Sequence, residues 1–399
     1  SFRDQNRLAG SPATNDKAMQ MAIAEDCPEG DWRREFLRTL LEVKSAATRI
    51  ELYWKPYPNW MRPTTGCVHG QIKNNGTVTR RPTGGQPNLL QVSKGPVRRM
   101  VEPRYKDISI GGRYNRHVTV SIDFSGQELR ITGSEAKDPS FIEAYTGGGT
   151  YVDEYGMTRQ RVKDVHSVTG CMFALEVLRR ELDEPLLGIL EMDEFGKMSY
   201  FQFRSIVEDG VLALSQLSLS EDDAGKVVKA VNGVRKMAKA VNFLICYLGQ
   251  PSTLAGNIGI PKAFAERIMA AVFASYARLA PWQAEMIALA RKQGFVTTAY
   301  GNWKHVSPDI LAKDGGKRSR AERQAVNQIV QGCAADILKI VLTQSERQGI
   351  FSNPHKAVMY APVYDEVLSS VHMDYCFEYV EKMQDIMNLT PPGHAIPMM

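Results

Sequence analysis

Apolar and polar positions change rhythm several times along the chain. Between residues 31 and 55, Trp32, Phe36, Leu40, Leu41 and Val43 recur at helical spacing after a loose polar leader, which predicts an amphipathic helix. From 56 to 116 no period holds. Pro56, Pro58, Pro63, Pro82, Pro87 and Pro96, with many glycines, exclude long helices and predict short strands and loops. Val118, Val120 and Ile122 then alternate with polar partners over 117–123, the pattern of a half-buried strand, which leads through Gly126 into a helical pattern ending near Lys137. From about 166 to 347 the rhythm is helical, with helices expected at 220–249, 261–293 and 320–347, a Gly/Lys/Arg loop at 313–320, and breaks at Asp138-Pro139 and 256–261. Residues 357–371 form two short β-rich runs meeting at Tyr364, Asp365 and Glu366, a hairpin with carboxylates at its turn. Strands far apart in sequence with helices between them predict an α+β fold, a sheet platform carrying a large helical insertion.

A chain of 399 residues is too long for one ordinary core, so several lobes are expected. Hydrophobic residues at 43% and charged residues at 23% exclude a mostly disordered chain. The six cysteines lack any CxxC pair with zinc-like histidine spacing and are read as reduced thiols of a cytoplasmic protein. No apolar run approaches the roughly 18 residues that would span a bilayer, so no membrane partner is expected. Net charge is only +5, but Lys and Arg bunch at Arg80/Arg81, Arg98/Arg99, Arg235/Lys236/Lys239 and Lys317/Arg318/Arg320/Arg323. Such bunching permits a polyanion partner, although a solvated face is the simpler reading of any one cluster.

Candidate chemistry sits where the pattern changes. Asp123 ends an apolar strand and Asp365 lies in the turn of an apolar hairpin, so both carboxylates are offered at the edge of a rigid sheet, as a metal site requires. Taken singly, each is equally well read as a helix cap or a turn residue. Arg235, Lys239, Phe243 and Tyr247 are spaced by four, so on a helix each step advances about 40° and about 6 Å, giving one slanting stripe about 18 Å long. Cationic at its start and aromatic at its end, the stripe has the shape of a nucleoside triphosphate; a plain amphipathic helix with a basic edge has the same pattern. Arg323, Asn327 and Gln331 repeat the spacing beside Val326, Ile329 and Val330, and such side chains can donate to the acceptors that every base pair shows in the minor groove.

These residues match a known family. Asp123-Phe124-Ser125-Gly126-Gln127-Glu128-Leu129-Arg130 resembles motif A of family A DNA polymerases, D-x-S-x-x-E-L-R. Asp138 to Tyr145 and Asp164-Val165-His166 are similar to the D-P-x-x-I-E-A-F and D-I-H segments that follow it. The stripe resembles motif B, R-x-x-x-K-x-x-x-F-x-x-x-Y; Glu322 to Lys339 resembles the E-R-x-x-x-N-x-x-x-Q-G-x-A-A-D-I-x-K helix; and Tyr364-Asp365-Glu366 is similar to motif C, H-D-E. Upstream, Thr65-Gly66-Cys67-Val68-His69 and Arg81 with Pro87-Asn88-Leu89-Leu90-Gln91 resemble the T-G-R-V-H and R…P-N-L-Q-N segments. Their order over roughly residues 65 to 371 carries as much weight as any one of them.

The resemblance implies a right-hand polymerase fold: an antiparallel palm sheet over 61–165 and 325–399, fingers over 166–324, and a partial thumb over 1–60. It implies a template-directed DNA polymerase that uses two Mg²⁺ ions, with Mn²⁺ as a substitute, held by Asp123, Asp365 and the Phe124 carbonyl. Asp123, Asp365, Glu366 and Lys239 form the catalytic set. Arg235, Lys239, Phe243, Tyr247, Gly126, Gln127 and Glu128 face the incoming deoxynucleoside triphosphate, with Glu128 filling the space of a 2′-hydroxyl. Arg81, Asn88, Gln91, Arg323, Asn327, Gln331 and Tyr364 hold primer-template DNA. A single-subunit RNA polymerase-like enzyme and a non-catalytic primer-template binding remnant are the alternatives. The first has a glycine where Glu128 stands, and the intact aspartates and cations speak against the second.

The departures also carry expectations. Tyr364 stands where the family usually has His, Leu244 and Leu248 replace two glycines, and long intervals after Tyr145 and between His166 and Arg235 suggest insertions, features resembling a bacteriophage or metagenomic branch acting in a host cytoplasm. Only about 64 residues precede Thr65, and the chain stops soon after a helix-like stretch at 375–387. The expectation is therefore a partial thumb, a palm strand missing or supplied from elsewhere, short distributive products, and a separate thumb, exonuclease or processivity chain as partner.

Overall fold

The alternation over His117–Asp123 does produce a strand, with His117 and Ile122 buried and Thr119, Ser121 and Asp123 exposed. The computed structural model of the chain describes residues 30–92, 97, 101–103, 108–110, 113–148, 150–152, 158–160, 163–217, 219–258 and 260–398, with residues 16, 19, 22, 23, 27 and 28 nearer the start. They fall into two compact units, 1–73 with 83–101, and 74–82 with 102–399.

In the first unit the expected helix runs from Trp32 to Arg49, capped by Asp31, whose side chain accepts the Arg33 N–H, and continues as a π-helical turn over Ile50–Trp54. Its apolar side is not a core face. Trp32, Phe36, Leu40 and Val43 are all exposed and no residue of the helix is buried, so the periodicity read as burial is instead an open stripe. The proline-rich stretch gives, as expected, only short pieces: Gln71–Lys73 paired antiparallel with Thr83–Gly85, then a 3₁₀ turn over Leu89–Gln91.

The second unit is built on a three-stranded antiparallel sheet in the order Ala357–Val363, Glu366–His372, His117–Asp123. Its central strand is nearly all buried, including Ser369 and Ser370. A buried hydroxyl needs a partner. Tyr379 Oη pairs with Ser369 Oγ at 2.8 Å, and His117 Nδ1 with Ser370 Oγ at 3.1 Å. Two helices cover this sheet region from the second half of the chain: Cys376–Met387, which buries Tyr379, Met383 and Met387, and Gly315–Arg347. Among the described residues Gly315–Arg347 is the one helix long and apolar enough to cross a membrane, contrary to the expectation that no run comes close. Yet 72% of that stretch is buried in the protein, as in a core helix.

The intervening region is helical. Glu221–Cys246 packs along Val165–Leu178 through Val227, Val231, Val234, Ala238 and Val241. Gly170 leaves room for a neighbour on a third helix, Tyr200–Asp209, because a Cβ there would lie 2.9 Å from the Phe203 ring. Buried Asn242 is satisfied by Thr169 Oγ1 at 2.9 Å, and Thr169 in turn meets Tyr276 Oη at 2.9 Å. The expected 261–293 helix divides into Lys262–Ser275 and Leu279–Gln293, with Pro281 in the first turn of the second, where its missing N–H is tolerated; between them Tyr276 stacks on Phe141, and Asp138 Oδ2 accepts the Arg278 N–H at 3.0 Å. The expected loop at 313–320 is helical from Gly315, because Asp314 caps it by accepting the Lys317 N–H at 2.7 Å. Gly256 also lies within a helix, Pro251–Ile258, so that break falls just beyond it.

Candidate functional site

The sheet register sets the first cluster. Glu366 pairs with Asp123, and the Phe124 N–H donates to the Asp365 carbonyl at 3.0 Å, so the end of one strand and the turn of the hairpin meet at a single sheet edge. The turn is two residues long, since Val363 pairs with Glu366, and its first residue, exposed Tyr364, has φ 59°. Asp123 is exposed and Asp365 half-buried, while Glu366 is buried and accepts from Ser121 Oγ at 2.7 Å. Phe124 buries its ring, and its carbonyl accepts no backbone hydrogen bond among the described residues.

Gly126, at φ 66° and ψ 40°, turns the chain into the helix Gln127–Glu135. An L-residue would be strained there, and a Cβ would meet Tyr145 Oη at 3.2 Å. Gln127 is buried, its Nε2 without a partner, while Glu128 forms an ion pair with Arg81 beside the carboxylate edge. Burial is the largest influence on Glu128 and pushes its carboxyl up; the charge and hydrogen bond of Arg81 pull it down without cancelling that, and the charge of Asp365 adds to the rise. Sequence reading assigned Arg81 and Glu128 to different ligands; in the structure they hold one another.

Arg130, from the same helix, is buried. Its Nε donates to the Ser125 carbonyl and its Nη1 to the Pro397 carbonyl, both at 2.7 Å, and its guanidinium lies 4.4 Å from the Tyr145 ring centroid. It therefore ties the Asp123–Gly126 turn to the last residues of the chain. Arg130→Met should lower stability by about 2 kcal/mol, because the part-buried Ser125 and Pro397 carbonyls lose their donors. A denaturant midpoint unchanged from wild type would contradict that role.

The second cluster lies along Glu221–Cys246. Arg235, Lys239 and Phe243 follow one another on the helix as their spacing predicts; Lys239 and Phe243 are exposed, and Lys239 pairs with no carboxylate among the described residues. Facing them is the start of Val165–Leu178. Asp164 caps that helix by accepting from the His166 N–H and Ser167 Oγ, and its Oδ2 also takes Arg235 Nε at 2.7 Å. Burial tends to raise the Asp164 carboxyl, but hydrogen bonds from Arg235 and Ser167 and the Arg235 charge outweigh it, so Asp164 sits below its ordinary value. The His166 ring lies 6.1 Å from that of Phe243, with Nδ1 3.0 Å from Asn242 Nδ2.

Burial first, and then the charges of Arg235 and Lys239, bring His166 down to about 4 despite Asp164. It is neutral at pH 7. The unfolded chain takes up this proton near the ordinary value of 6.5 and the folded one does not, so stability should decline as pH falls from about 6.5 towards 4. Denaturant midpoints across that window should flatten in His166→Gln; an identical slope would count against the assignment.

The stripe ends at Tyr247, just past the helix. Cys246 beside it is hydrogen-bonded to Thr132, and burial pushes its thiol up to about 12, so this end of the stripe abuts the Gln127–Glu135 helix. Tyr247 Oη accepts from Gln331 Nε2 at 3.4 Å. The third set is then partly self-engaged: Asn327 Nδ2 donates to Gln331 Oε1 at 3.3 Å, Arg323 Nη1 donates to Ser319 Oγ at 2.7 Å, and Asn327 Oδ1 is buried without a partner. In the first unit, Asn88 caps its own 3₁₀ turn by accepting the Leu90 N–H at 3.1 Å; Gln91 ends that turn, and its side chain lies outside the described residues.

Comparison with known proteins follows this geometry. The sequence profile of DNA polymerase family A matches residues 6–176 and 223–398, leaving 177–222 unmatched. The chain is 32% identical over 340 residues to DNA polymerase I of Streptococcus pneumoniae, covering 84% of this chain and 30% of that protein. It is 23% identical over 332 residues to the thermostable DNA polymerase I of Thermus aquaticus, covering 83% and 31%. The chain thus spans about a third of the length of these curated relatives. In three dimensions it is similar to the polymerase domain of Pol1 from M. smegmatis, solved in complex with DNA primer-template and dNTP, with a TM-score of 0.68 at 19% identity over 100% of this chain and 56% of that one.

Proposed function

Since the chain belongs to DNA polymerase family A, we propose that it is a DNA-directed DNA polymerase, extending a primer 3′ end with deoxynucleoside triphosphates. The observation that carries the reading is the strand register that brings Asp123 opposite Glu366 and beside the Asp365 turn, at one edge of the sheet.

That edge fits a pair of divalent ions. Magnesium usually takes one or two protein carboxylates and leaves its remaining positions to water and phosphate oxygens, which matches a half-buried and an exposed aspartate plus the Phe124 carbonyl. Asp123, Asp365 and that carbonyl would hold two Mg²⁺ or Mn²⁺ ions, which when bound supply charge stabilisation to the attacking and leaving oxygens. The remaining work belongs to the protein. Arg235 and Lys239 neutralise the triphosphate, Phe243 packs on sugar and base, and Tyr247 lies towards the templating position. Gly126 and Gln127 bring the backbone up to the nucleotide, and Glu128 closes the space of a 2′-hydroxyl. Glu366 supports the two aspartates, and Tyr364 approaches the primer end. Arg81, Asn88, Gln91, Arg323, Asn327 and Gln331 hold the terminal base pairs from the minor groove. In this reading 61–165 and 325–399 are palm, 166–324 fingers and 1–60 part of a thumb.

Glu128 favours DNA over RNA synthesis, and intact Asp123, Asp365, Arg235 and Lys239 favour catalysis over simple duplex binding. Primer extension with Mg²⁺, deoxynucleotides in one arm and ribonucleotides in the other, tests all three readings. Extension restricted to deoxynucleotides is expected. Ribonucleotide preference would select the RNA polymerase reading, and duplex binding without extension would select the remnant.

A further inference from the structure

The segment 177–222, unmatched by the family profile, reaches back to the nucleotide stripe. Its helix Tyr200–Asp209 is anchored by Phe203 and Ile206, both fully buried. From that anchored face two side chains meet Asp164. Tyr200 Oη accepts the Asp164 backbone N–H at 2.8 Å, and Arg204 Nη1 donates to Asp164 Oδ2 at 3.2 Å. The same oxygen takes Arg235 Nε, so one carboxylate stands between two guanidiniums. Asp164 engages Arg235 only through Nε, and neither Nη of Arg235 has a partner among the described residues.

A carboxylate held this way fixes a guanidinium and also cancels its charge. Orientation helps a cation meet a triphosphate, because a guanidinium held by one edge keeps its other donors aimed. Cancellation hurts, because attraction to the phosphates depends on the net charge at that end of the helix. A second cation on the same carboxylate separates the two effects. Arg204, Asp164 and Arg235 carry one net positive charge between them; without Arg204 they carry none. Glu208 also pairs with Arg204, but it is half exposed on the outer side, where solvent screens it.

We propose that Arg204 is a positioning residue for the triphosphate site, neutralising Asp164 so that Asp164 can orient Arg235 without consuming its charge. The segment that carries it is then a brace for the phosphate end of the stripe. The proposal rests on the reading of Arg235 and Lys239 as triphosphate ligands.

The probe is inorganic tripolyphosphate, titrated calorimetrically into the full chain without divalent metal, alongside KM and kcat for single-nucleotide insertion. Arg204→Gln should raise the tripolyphosphate Kd and the nucleotide KM by about five- to tenfold, as loss of one nearby charge implies, with kcat within about twofold. Arg204→Lys should retain most of the affinity. On an Asp164→Asn background, Arg204→Gln removes the same positive charge and should weaken binding by a comparable factor, because charge contributions add. Glu208→Gln, at an exposed position that does not threaten the fold, should tighten binding by less than about twofold, since solvent screens that charge. An unchanged Kd in Arg204→Gln, no weakening in the Asp164→Asn background, or weaker binding in Glu208→Gln would each overturn the proposal. Arg235→Gln separates the two layers. If it leaves tripolyphosphate binding intact, the stripe is not the triphosphate site and both readings fall; if it abolishes binding while Arg204→Gln does nothing, only the brace is wrong.

Discussion

Asp123→Ala or Asp365→Ala is expected to reduce primer extension by about a thousandfold or more while primer-template still binds, because the two carboxylates serve charge stabilisation during transfer more than duplex affinity. At Asp123 the substitution spares the core. Its side chain is exposed at the strand end, and the neighbours that pack the core are Ile122 and Phe124, so alanine removes the carboxylate without opening a cavity. Asp365 is in a turn whose backbone still bonds to Phe124. Melting temperatures close to wild type, duplex binding by anisotropy within about threefold, and loss of extension are the expected combination. Retention of even about a tenth of the wild-type rate in either variant would remove the two-metal assignment.

Glu128→Ala is expected to raise ribonucleotide incorporation relative to deoxynucleotide by about a hundredfold, since a site that excludes a hydroxyl by filling its space loses that exclusion when truncated. The ion pair sharpens the test. Arg81 holds Glu128 in place beside the carboxylate edge, so Arg81→Met should loosen the gate and raise ribonucleotide use to a lesser extent. Glu128→Gln keeps the volume and loses the charge; it should stay selective if space is what matters. Insertion ratios unaffected by Glu128→Ala would show that the acid does not face the sugar.

The sheet and its carboxylates were legible because 117–123 alternates and 357–371 holds two short β-rich runs that meet at Tyr364, Asp365 and Glu366. The order of motifs made the family legible too. Boundaries failed where a single side chain overrode composition. A Gly-Gly-Lys-Arg run reads as a loop, yet Asp314 caps it into a helix, and Pro281, which lacks the N–H a helix interior needs, divides a 261–293 stretch whose apolar periodicity runs on through it. The partners within the site were the least legible. Arg81 and Glu128 are 47 residues apart, Asp164 and Arg235 are 71 apart, and Asp164 and Arg204 are 40 apart, so no periodic signal joins them. Arg204 in particular sits in a stretch whose only sequence signal was its extra length.

The turn at Tyr364 and Asp365 has a consequence for how this site can diverge. With Val363 paired to Glu366, the connection is a two-residue turn, and an added residue has to be absorbed as a longer loop or a bulge if the following side chains of the central strand are to keep their faces. That strand is the one pinned on both sides, to the hairpin partner and to the strand ending in Asp123. Length at this point is therefore constrained, while identity at 364 is open. The residue there needs only to tolerate a left-handed backbone, at a cost of about 1 kcal/mol, and its ring projects from an exposed tip. A tyrosine can thus occupy the position without displacing the aspartate that follows it, so drift in side chain at this tip leaves the spacing of the carboxylates constant.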